Sequence, residues 1–286
     1  MPVHTTADGH HIHYAISGSG PTIVLTPGGR EGREAIAALT EGLAAHCRVL
    51  AWDRRNTGMS DLTFDPARSE QAIWAQDLVE LIHALDLAPA IVAGGSAGCR
   101  VSLNAVLRDP SVARAMVLWS ASGGAYGSQF LGFNYHVPYI LAAQRGGMAA
   151  VAQTAFFAER IAANPDNAAY LLSLDPDAFV ATMKRWNESF FPREGRPLAG
   201  IEGDLAAIAA PTLIFAGNDD IHPAESSLAL AAAIPDARLV PSPWSSDDFM
   251  GLMTGRDPGR VFDLYPRMIP QILDFIAQID RSTPRC

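Results

Sequence analysis

The most constraining feature of the chain is a five-residue turn, Gly94 to Gly98, with Ser96 at its centre. Residues 90–94 form a short apolar run typical of a buried strand, and a helical pattern follows the turn. A serine at a sharp strand-to-helix turn occupies a strained backbone position, and small residues two places before and after it avoid collision with the crossing strand and helix. The Gly-x-Ser-x-Gly pattern in this context predicts a nucleophilic serine at the end of a sheet strand.

The composition favours a soluble protein that acts on a small molecule. A chain of 286 residues can bury a core large enough for one α/β domain with an inserted subdomain. Its formal net charge of -9 disfavours a nucleic-acid partner, and no apolar run reaches the roughly 20 residues of a membrane span. Three scattered cysteines and an N-terminus without a signal-peptide pattern predict a cytoplasmic protein.

Neither a metal nor another cofactor is expected. The histidines at positions 10, 11 and 13 lie in a strand-like segment without a nearby cysteine or carboxylate that would complete a metal site. We therefore expect cofactor-independent chemistry. The sequence leaves open whether the chain forms a homo-oligomer.

Apolar runs alternate with helical patterns along the chain. After an N-terminal hairpin, strands are predicted at 22–26, 48–52, 90–94, 114–119, 211–216 and 237–240. This alternation predicts a mostly parallel central sheet with helices on both faces. Residues 122–206 are rich in glycine and aromatic residues and contain helical patterns but no strand run. We predict an α/β core formed by residues 1–121 and 207–286, with a helical lid inserted at 122–206.

A second glycine-rich segment is predicted to lie beside Ser96. In open parallel sheets, ligands bind beyond the carboxyl ends of the strands, where both Ser96 and the segment Thr26 to Arg30 are expected. Glycines in that segment let the backbone approach a bound oxygen and offer it an N–H group. We predict that the backbone N–H groups of Gly29 and of Ala97, at the start of a helix, bind an oxyanion.

Together with two further segments, these features resemble the α/β-hydrolase family over essentially the whole chain. Residues 53–60, Asp-Arg-Arg-Asn-Thr-Gly-Met-Ser, resemble the family's Asp-x-Arg-Gly-x-Gly-x-Ser turn. Residues 211–220 resemble the strand and Gly-x-x-Asp loop that carry the acid of the family's catalytic triad. The resemblance implies the family's fold and a hydrolytic activity. Serine at the elbow argues against epoxide hydrolases and dehalogenases, whose nucleophile is aspartate.

The chain departs from the family at the triad histidine. Family members carry it after the last strand, where this chain has residues 241–250, Pro-Ser-Pro-Trp-Ser-Ser-Asp-Asp-Phe-Met. His222 is the last histidine in the chain. A serine hydroxyl is a poor nucleophile without a base within hydrogen-bond reach, so another group must supply that base.

The first hypothesis is an exchanged triad in which His222 is the base. Asp248 or Asp247, near the position that the family gives to histidine, would orient it, or an acid of its own loop would do so. Within that loop, the Gly-x-x-Asp spacing favours Asp220, whereas the distance to the following His-Pro favours Asp219. Triads are defined by geometry and roles, so this order of residues is acceptable.

Two alternatives remain open. In the second hypothesis, His136 of the lid supplies the base. In the third, the fold binds a small molecule, or acts as a cofactor-free lyase or isomerase, without an acyl-enzyme. Repulsion among crowded carboxylates would then raise one pKa enough for acid or base work, and the candidates are Asp219, Asp220, Asp247 and Asp248.

Aromatic residues in or beside the lid predict an apolar pocket for a medium-sized or aromatic acyl group. They are Trp119, Phe130, Phe133, Tyr139, Phe156, Phe157, Trp186 and Phe190. Trp244 and His136 are further candidate substrate contacts, and Arg30, beside the oxyanion loop, could bind a substrate carboxylate or phosphate. We predict a serine hydrolase that cleaves a carboxylic ester, thioester or lactone through Ser96.

Overall fold

In a computed structural model that describes residues 2–191 and 198–282, eight strands form one sheet in the order β1-β2-β4-β3-β5-β6-β7-β8. The hairpin β1–β2 is antiparallel, β2 pairs antiparallel with β4, and the remaining pairs are parallel. The strands are β1 (Val3–Thr5), β2 (His11–Ser17), β3 (Thr22–Thr26), β4 (Arg48–Trp52), β5 (Ala90–Gly95), β6 (Ala113–Trp119), β7 (Thr212–Phe215) and β8 (Ala237–Val240).

Helices fill most of the segments between the strands. They are α1 (Ala37–Ala44), α2 (Glu70–Ala84), α3 (Ala97–Arg108), α4 (Gly124–Ala152), α5 (Ala155–Ala163), α6 (Asp166–Ser173), α7 (Pro176–Glu188), α8 (Ala224–Ala233), α9 (Ser246–Met253) and α10 (Ile269–Ser282). Short 3₁₀ segments lie at Arg33–Ile36, Pro110–Val112, Leu205–Ala207 and Val261–Met268.

The parallel strands are buried because helices cover both faces of the sheet. Successive side chains of a strand point to opposite faces. Thus Val24 packs in the layer that contains α2 and α3, whereas Ile23 and Leu25 pack in the layer that contains α1 and α10. All six residues of β5 are buried, as expected for a central strand covered on both sides.

Helices α4 to α7, which we call the cap, lie between β6 and β7, where the sequence predicts the lid. They form their own apolar cluster, which includes Phe157 and Met183. Phe64 of the core joins this cluster, with ring centroids 4.9 Å from Phe179 and 5.6 Å from Trp186. The aromatic contacts therefore fix the cap on the core above the carboxyl ends of the strands.

The predicted fold class is confirmed, and the predicted parallel strands agree with the observed ones to within one residue at each end. Helix α9 was not predicted: residues 246–253 form a helix where the sequence analysis expected only a segment following the last strand. Residues 192–197 of the predicted lid and 283–286 of the predicted core lie outside the described residues. None of the described helices is both long and apolar enough to cross a membrane.

Candidate active site

Ser96 lies at the junction of β5 and α3, in a strained backbone conformation. Its φ of 50° and ψ of -112° fall in a region that non-glycine residues rarely adopt. A Cβ atom on Gly94 would overlap the carbonyl of Gly98, and one on Gly98 would overlap the carbonyl of Thr26. The two glycines of the motif therefore permit the close crossing of strand and helix that presents Ser96.

His222 is within hydrogen-bond distance of the serine. Its Nε2 lies 3.0 Å from Ser96 Oγ, although the two residues are far apart in sequence. The ring is almost completely buried, and the Phe249 ring packs edge-on against it at a centroid distance of 5.4 Å. Because a carboxylate faces Nδ1, we assign the proton of neutral His222 to Nδ1, which leaves Nε2 free to accept the serine proton.

That carboxylate belongs to Asp219, in the same loop as His222. His222 Nδ1 lies 2.9 Å from Asp219 Oδ2, and Oδ1 also accepts hydrogen bonds from the backbone N–H groups of Ile221 (2.9 Å) and His222 (3.0 Å). Burial raises the pKa of Asp219, but the hydrogen bonds from His222 and these amides outweigh it, so the pKa is lowered overall. Asp219 is therefore ionised at neutral pH.

The other predicted acids do not reach His222. Asp220 is exposed. Asp248 closes a capping box at the start of α9, where its carboxylate accepts from the Ser245 N–H at 3.1 Å and from Arg267 Nη1 at 3.1 Å. The exchanged arrangement is thus wrong about the partner of His222: the closest carboxylate comes from its own turn. A helix cap and an arginine hold Asp248 instead.

The crowd of carboxylates that the third hypothesis expected is not found among the described residues. Asp247 is fully exposed and pairs with Arg256 at 2.7 Å, so it points away from the site. The pKa of Asp219 is lowered, because hydrogen bonds to its carboxylate outweigh the effect of burial, whereas crowding would have raised it.

The predicted oxyanion donors lie next to the serine. A Cβ atom on Gly28 would be 3.2 Å from Ser96 Cβ, so this loop passes directly against Ser96. Gly29 lines the cavity above Ser96. Ala97 is the first residue of α3, and the N–H group of a first helical residue has no acceptor within its own helix. Their role as oxyanion donors stays a prediction.

Ser96 and His222 open into a cavity of about 420 Å³ between the cap and the core. One wall comes from the cap, and the opposite wall comes from the loop after β7 and the C-terminal segment. Its lining is mainly apolar and aromatic, with charged residues also present: Gly28, Gly29, Arg30, Glu31, Ser96, Phe130, Leu131, Asn134, Tyr135, Tyr139, Phe156, Glu159, Arg160, Ile221, His222, Phe249, Met253, Val261, Phe262 and Tyr265.

Four of the predicted contacts line this cavity: Arg30, Phe130, Tyr139 and Phe156. The guanidinium of Arg30 is already engaged, because Nη1 and Nη2 donate to the two carboxylate oxygens of Glu70 at 3.0 and 2.8 Å. It also lies against the rings of Tyr135 and Phe156. Arg30 thus has a carboxylate of this chain where a substrate anion was predicted.

The remaining predicted contacts lie outside this cavity, which corrects that prediction: Trp119, Phe133, His136, Phe157, Trp186, Phe190 and Trp244. Phe133 faces outward from α4 and is 57% exposed. Trp186 is in the apolar cluster of the cap and donates its indole N–H to the Arg68 carbonyl, and Trp244 stacks on Tyr265 on the core side. His136 is 0% exposed, with Nδ1 3.1 Å from the Gly132 carbonyl, and it packs on Phe190.

Sequence reasoning missed the C-terminal wall of the cavity. Phe249, Phe262 and Tyr265 come from α9 and the 3₁₀ segment after it; of α9, the sequence analysis associated only the aspartates at its start with the site. On the cap side a signal was present. Leu131 and Tyr135 precede Tyr139 by eight and four residues, and residues at this spacing lie on the same face of a helix. Counting back from Tyr139 would therefore have identified the face of α4 that lines the cavity.

Comparison with known proteins identifies the class. The alpha/beta hydrolase family matches residues 23–273, and the chain therefore belongs to this family. It is 28% identical over 278 residues to a protein named putative carbamate hydrolase RutD from Azorhizobium caulinodans, covering 94% of this chain and 96% of that protein. The enzyme is a hydrolase.

Solved structures show the same fold. An enol-lactonase from Burkholderia xenovorans superposes with a TM-score of 0.62 at 21% identity, covering 96% of this chain and 100% of that one. A hydrolase from Pseudomonas aeruginosa gives a TM-score of 0.60 at 24% identity, with 89% and 94% of the two chains covered.

Proposed function

We propose that this protein is a serine hydrolase that cleaves a carboxylic ester, thioester or lactone through an acyl-enzyme on Ser96. The observation that carries the proposal is the continuous chain of contacts from Ser96 Oγ to His222 Nε2 (3.0 Å) and from His222 Nδ1 to Asp219 Oδ2 (2.9 Å). A serine, a base and an orienting carboxylate in this order are the parts that nucleophilic acyl transfer needs.

In the proposed reaction, Ser96 Oγ attacks the substrate carbonyl while its proton passes to His222 Nε2. The N–H groups of Gly29 and Ala97 stabilise the resulting oxyanion. The protonated imidazole then gives its proton to the leaving oxygen or sulfur, which leaves an ester on Ser96. Water, deprotonated by the same imidazole, attacks this ester and restores the free serine. Asp219 holds the ring in the required tautomer and stabilises its positive charge.

The cavity supports an apolar acyl group of medium size. Cap residues such as Leu131 and Tyr139 and C-terminal residues such as Phe262 surround the space above Ser96. The names of similar proteins widen the set of substrates worth testing, since one is called a putative carbamate hydrolase and another an enol-lactonase. Carbamates and enol lactones would be attacked at the same type of carbonyl carbon.

The intact mass of the protein after incubation with a small alkyl fluorophosphonate tests the proposal. We expect the wild type to gain one adduct rapidly, Ser96→Ala to gain none, and His222→Ala to react far more slowly. His136→Phe is the matched control, because His136 is buried in the cap away from the cavity. Absence of labelling in folded wild-type protein would refute the acyl-enzyme. A panel of esters, thioesters, lactones and carbamates would then rank the substrate classes.

A further inference from the structure

Two neighbouring buried arginines, Arg54 and Arg55, follow β4 but have different kinds of partner. Arg55 makes ion pairs with Asp77 and Asp8, each at 2.7 Å. Arg54 has no carboxylate partner among the ion pairs of the described residues. Instead, its Nη2 donates to three backbone carbonyls of the oxyanion loop, those of Gly28 (3.3 Å), Gly29 (2.9 Å) and Glu31 (3.2 Å).

The burial of Arg54 is energetically unfavourable. The residue is 0% exposed, and within residues 2–191 and 198–282 its Nε and Nη1 have no hydrogen-bond partner. Its guanidinium lies over the ring of Trp74, 4.6 Å from the centroid. Burial lowers the pKa of Arg54 to about 10, which reflects the desolvation of its charge. A neutral side chain could fill this space with less penalty, so packing alone does not account for an arginine here.

The contacts of Arg54 fix the direction of one particular N–H group. In a trans peptide, the carbonyl and the N–H point in opposite directions. The carbonyl of the Gly28–Gly29 peptide faces Arg54, so the Gly29 N–H points to the opposite side. Gly28 lies against Ser96 and Gly29 lines the cavity. The N–H group held in this way is the one that would meet the substrate oxyanion.

We propose that Arg54 is a positioning residue for the oxyanion hole, which orients and polarises the Gly28–Gly29 peptide from behind. This inference rests on the proposed function, since it requires an oxyanion beside Ser96. A charged donor on a peptide carbonyl draws electron density from that amide and strengthens its N–H as a donor. The positive charge is also buried, and there it favours a nearby negative charge more strongly than it would in solvent.

A second contact holds the same loop from its side-chain end. Glu70, at the start of α2, accepts from both Nη groups of Arg30 and from Asn56 Nδ2 at 2.9 Å. The loop therefore keeps an anchor when Arg54 is replaced. Loss of Arg54 should alter the orientation and polarisation of the peptide rather than unfold the segment.

The test compares a ligand that forms an oxyanion with one that does not. A trifluoromethyl ketone accepts Ser96 Oγ at its carbonyl carbon and becomes a hemiketal oxyanion, while the serine proton moves to His222. The matching methyl ketone binds as the unreacted ketone. Inhibition constants for both, with kcat and KM for a good ester, are measured for the wild type, Arg54→Met, Arg54→Gln and Arg54→Lys. Arg55→Lys serves as the control for replacement of a buried arginine in the same segment.

For Arg54→Met we expect kcat to fall about 10- to 100-fold, below the 10²- to 10³-fold cost of losing a direct oxyanion donor. KM should change by less than about threefold, and affinity for the trifluoromethyl ketone should fall in parallel with kcat. The methyl ketone should bind unchanged. Arg54→Lys should recover more kcat than Arg54→Gln, because it restores the charge. Arg55→Lys should lower the melting temperature without changing the ratio of the two inhibition constants.

Folded Arg54→Met protein with wild-type kcat and wild-type affinity for the trifluoromethyl ketone would overturn the inference. So would an equal loss of affinity for both ketones, which would indicate only a disturbed structure. If Arg54→Met does not fold, Arg54→Gln and Arg54→Lys carry the same comparison. Failure of the proposed function is separately visible, because the wild type itself would then form no adduct with the trifluoromethyl ketone, and the role of Arg54 would fall with it.

Discussion

The loops that follow the last two parallel strands both carry acidic residues, but only the first of these loops places a carboxylate beside the histidine that contacts Ser96. After β7, Asp219 and His222 form a compact turn that contacts Ser96. After β8, Asp247 and Asp248 start helix α9 and pair with Arg256 and Arg267 at the surface. An aspartate near the end of a strand is therefore not enough: its carboxylate must face His222 instead of pairing with an arginine at the surface.

The turn after β7 positions acid and base together. Asp219 accepts hydrogen bonds from the backbone N–H groups of residues 221 and 222 in an Asx-type turn. This turn places its carboxylate beside the imidazole of His222. In the proposed triad, acid and base therefore need no contribution from the loop after β8. That segment is free to build the C-terminal wall of the cavity with Phe249 and Met253.

The largest effect should come from His222, the proposed base. His222→Ala should lower kcat by roughly 10⁴- to 10⁶-fold, because no other described group lies within hydrogen-bond distance to take the Ser96 proton. His136→Phe, which alters a histidine of the cap, should stay within about threefold of the wild type. Steady-state kinetics on an activated ester measure both. Loss of activity only in the cap variant would return the role of base to His136.

The next effect separates the acids of the two loops. Asp219→Asn should lower kcat by roughly 10³- to 10⁴-fold, since the amide cannot hold the imidazole in the required tautomer or stabilise its charge. Asp248→Asn, in the loop after β8, should stay within about twofold, and so should the exposed Asp220→Asn. A greater loss in Asp248→Asn than in Asp219→Asn would revive the exchanged arrangement.

Much of this could be predicted from the sequence. The parallel strands and the turn at Ser96 follow from local patterns, since apolar runs mark buried strands and glycines mark the tight elbow. His222 was proposed because no histidine follows it in the chain. The choice between Asp219 and Asp220 depends on which way one turn folds, and the Gly-x-x-Asp spacing favoured the wrong residue as the contact of His222. The Asp-x-x-His spacing of an Asx turn was the available signal.

The substrate-contact residues were harder to predict, because aromatic composition does not specify direction. Phe133 and Tyr135 differ by two positions on α4, yet one faces solvent and the other lines the cavity. Trp244, another predicted contact, stacks on Tyr265 on the core side instead. Such assignments need the packing of separate elements, which periodicity within one element cannot supply.

A smaller effect concerns His136, the histidine of the cap. Burial first, and then the charge of Arg30, lower the pKa of His136 from 6.5 to about 3, so the ring is neutral in the folded protein. The stability that neutral His136 provides is fully present above its unfolded pKa and is lost as the pH falls toward the folded value. Between about pH 7.5 and about pH 4.5, the wild type should lose about 3 kcal/mol more unfolding free energy than His136→Phe.

Urea denaturation at the two pH values checks this. Equal losses for the wild type and His136→Phe would mean that the ring is not buried as a neutral group.

The smallest effect belongs to the capping box after β8. Asp248→Ala removes the bond to the Ser245 N–H and the pair with Arg267, and should lower the melting temperature slightly with kcat unchanged. Most of this lost stability comes from the capping contact at the start of α9, because the partners of the ion pair are about half exposed and such pairs contribute little. Thermal unfolding and ester kinetics on the same sample measure it. A fall in kcat would place the segment after β8 in the chemistry.

The most direct test of the account is whether added imidazole restores the reactivity of Ser96 in His222→Ala. The rate at which a fluorophosphonate labels Ser96 measures this reactivity. His222 lines the cavity, so its removal leaves a space that is open to a small base. The account predicts that millimolar imidazole accelerates labelling of His222→Ala in proportion to its concentration, with no acceleration in the wild type and no labelling in Ser96→Ala/His222→Ala. Rapid labelling of His222→Ala without imidazole would contradict the account, because the base would then lie elsewhere.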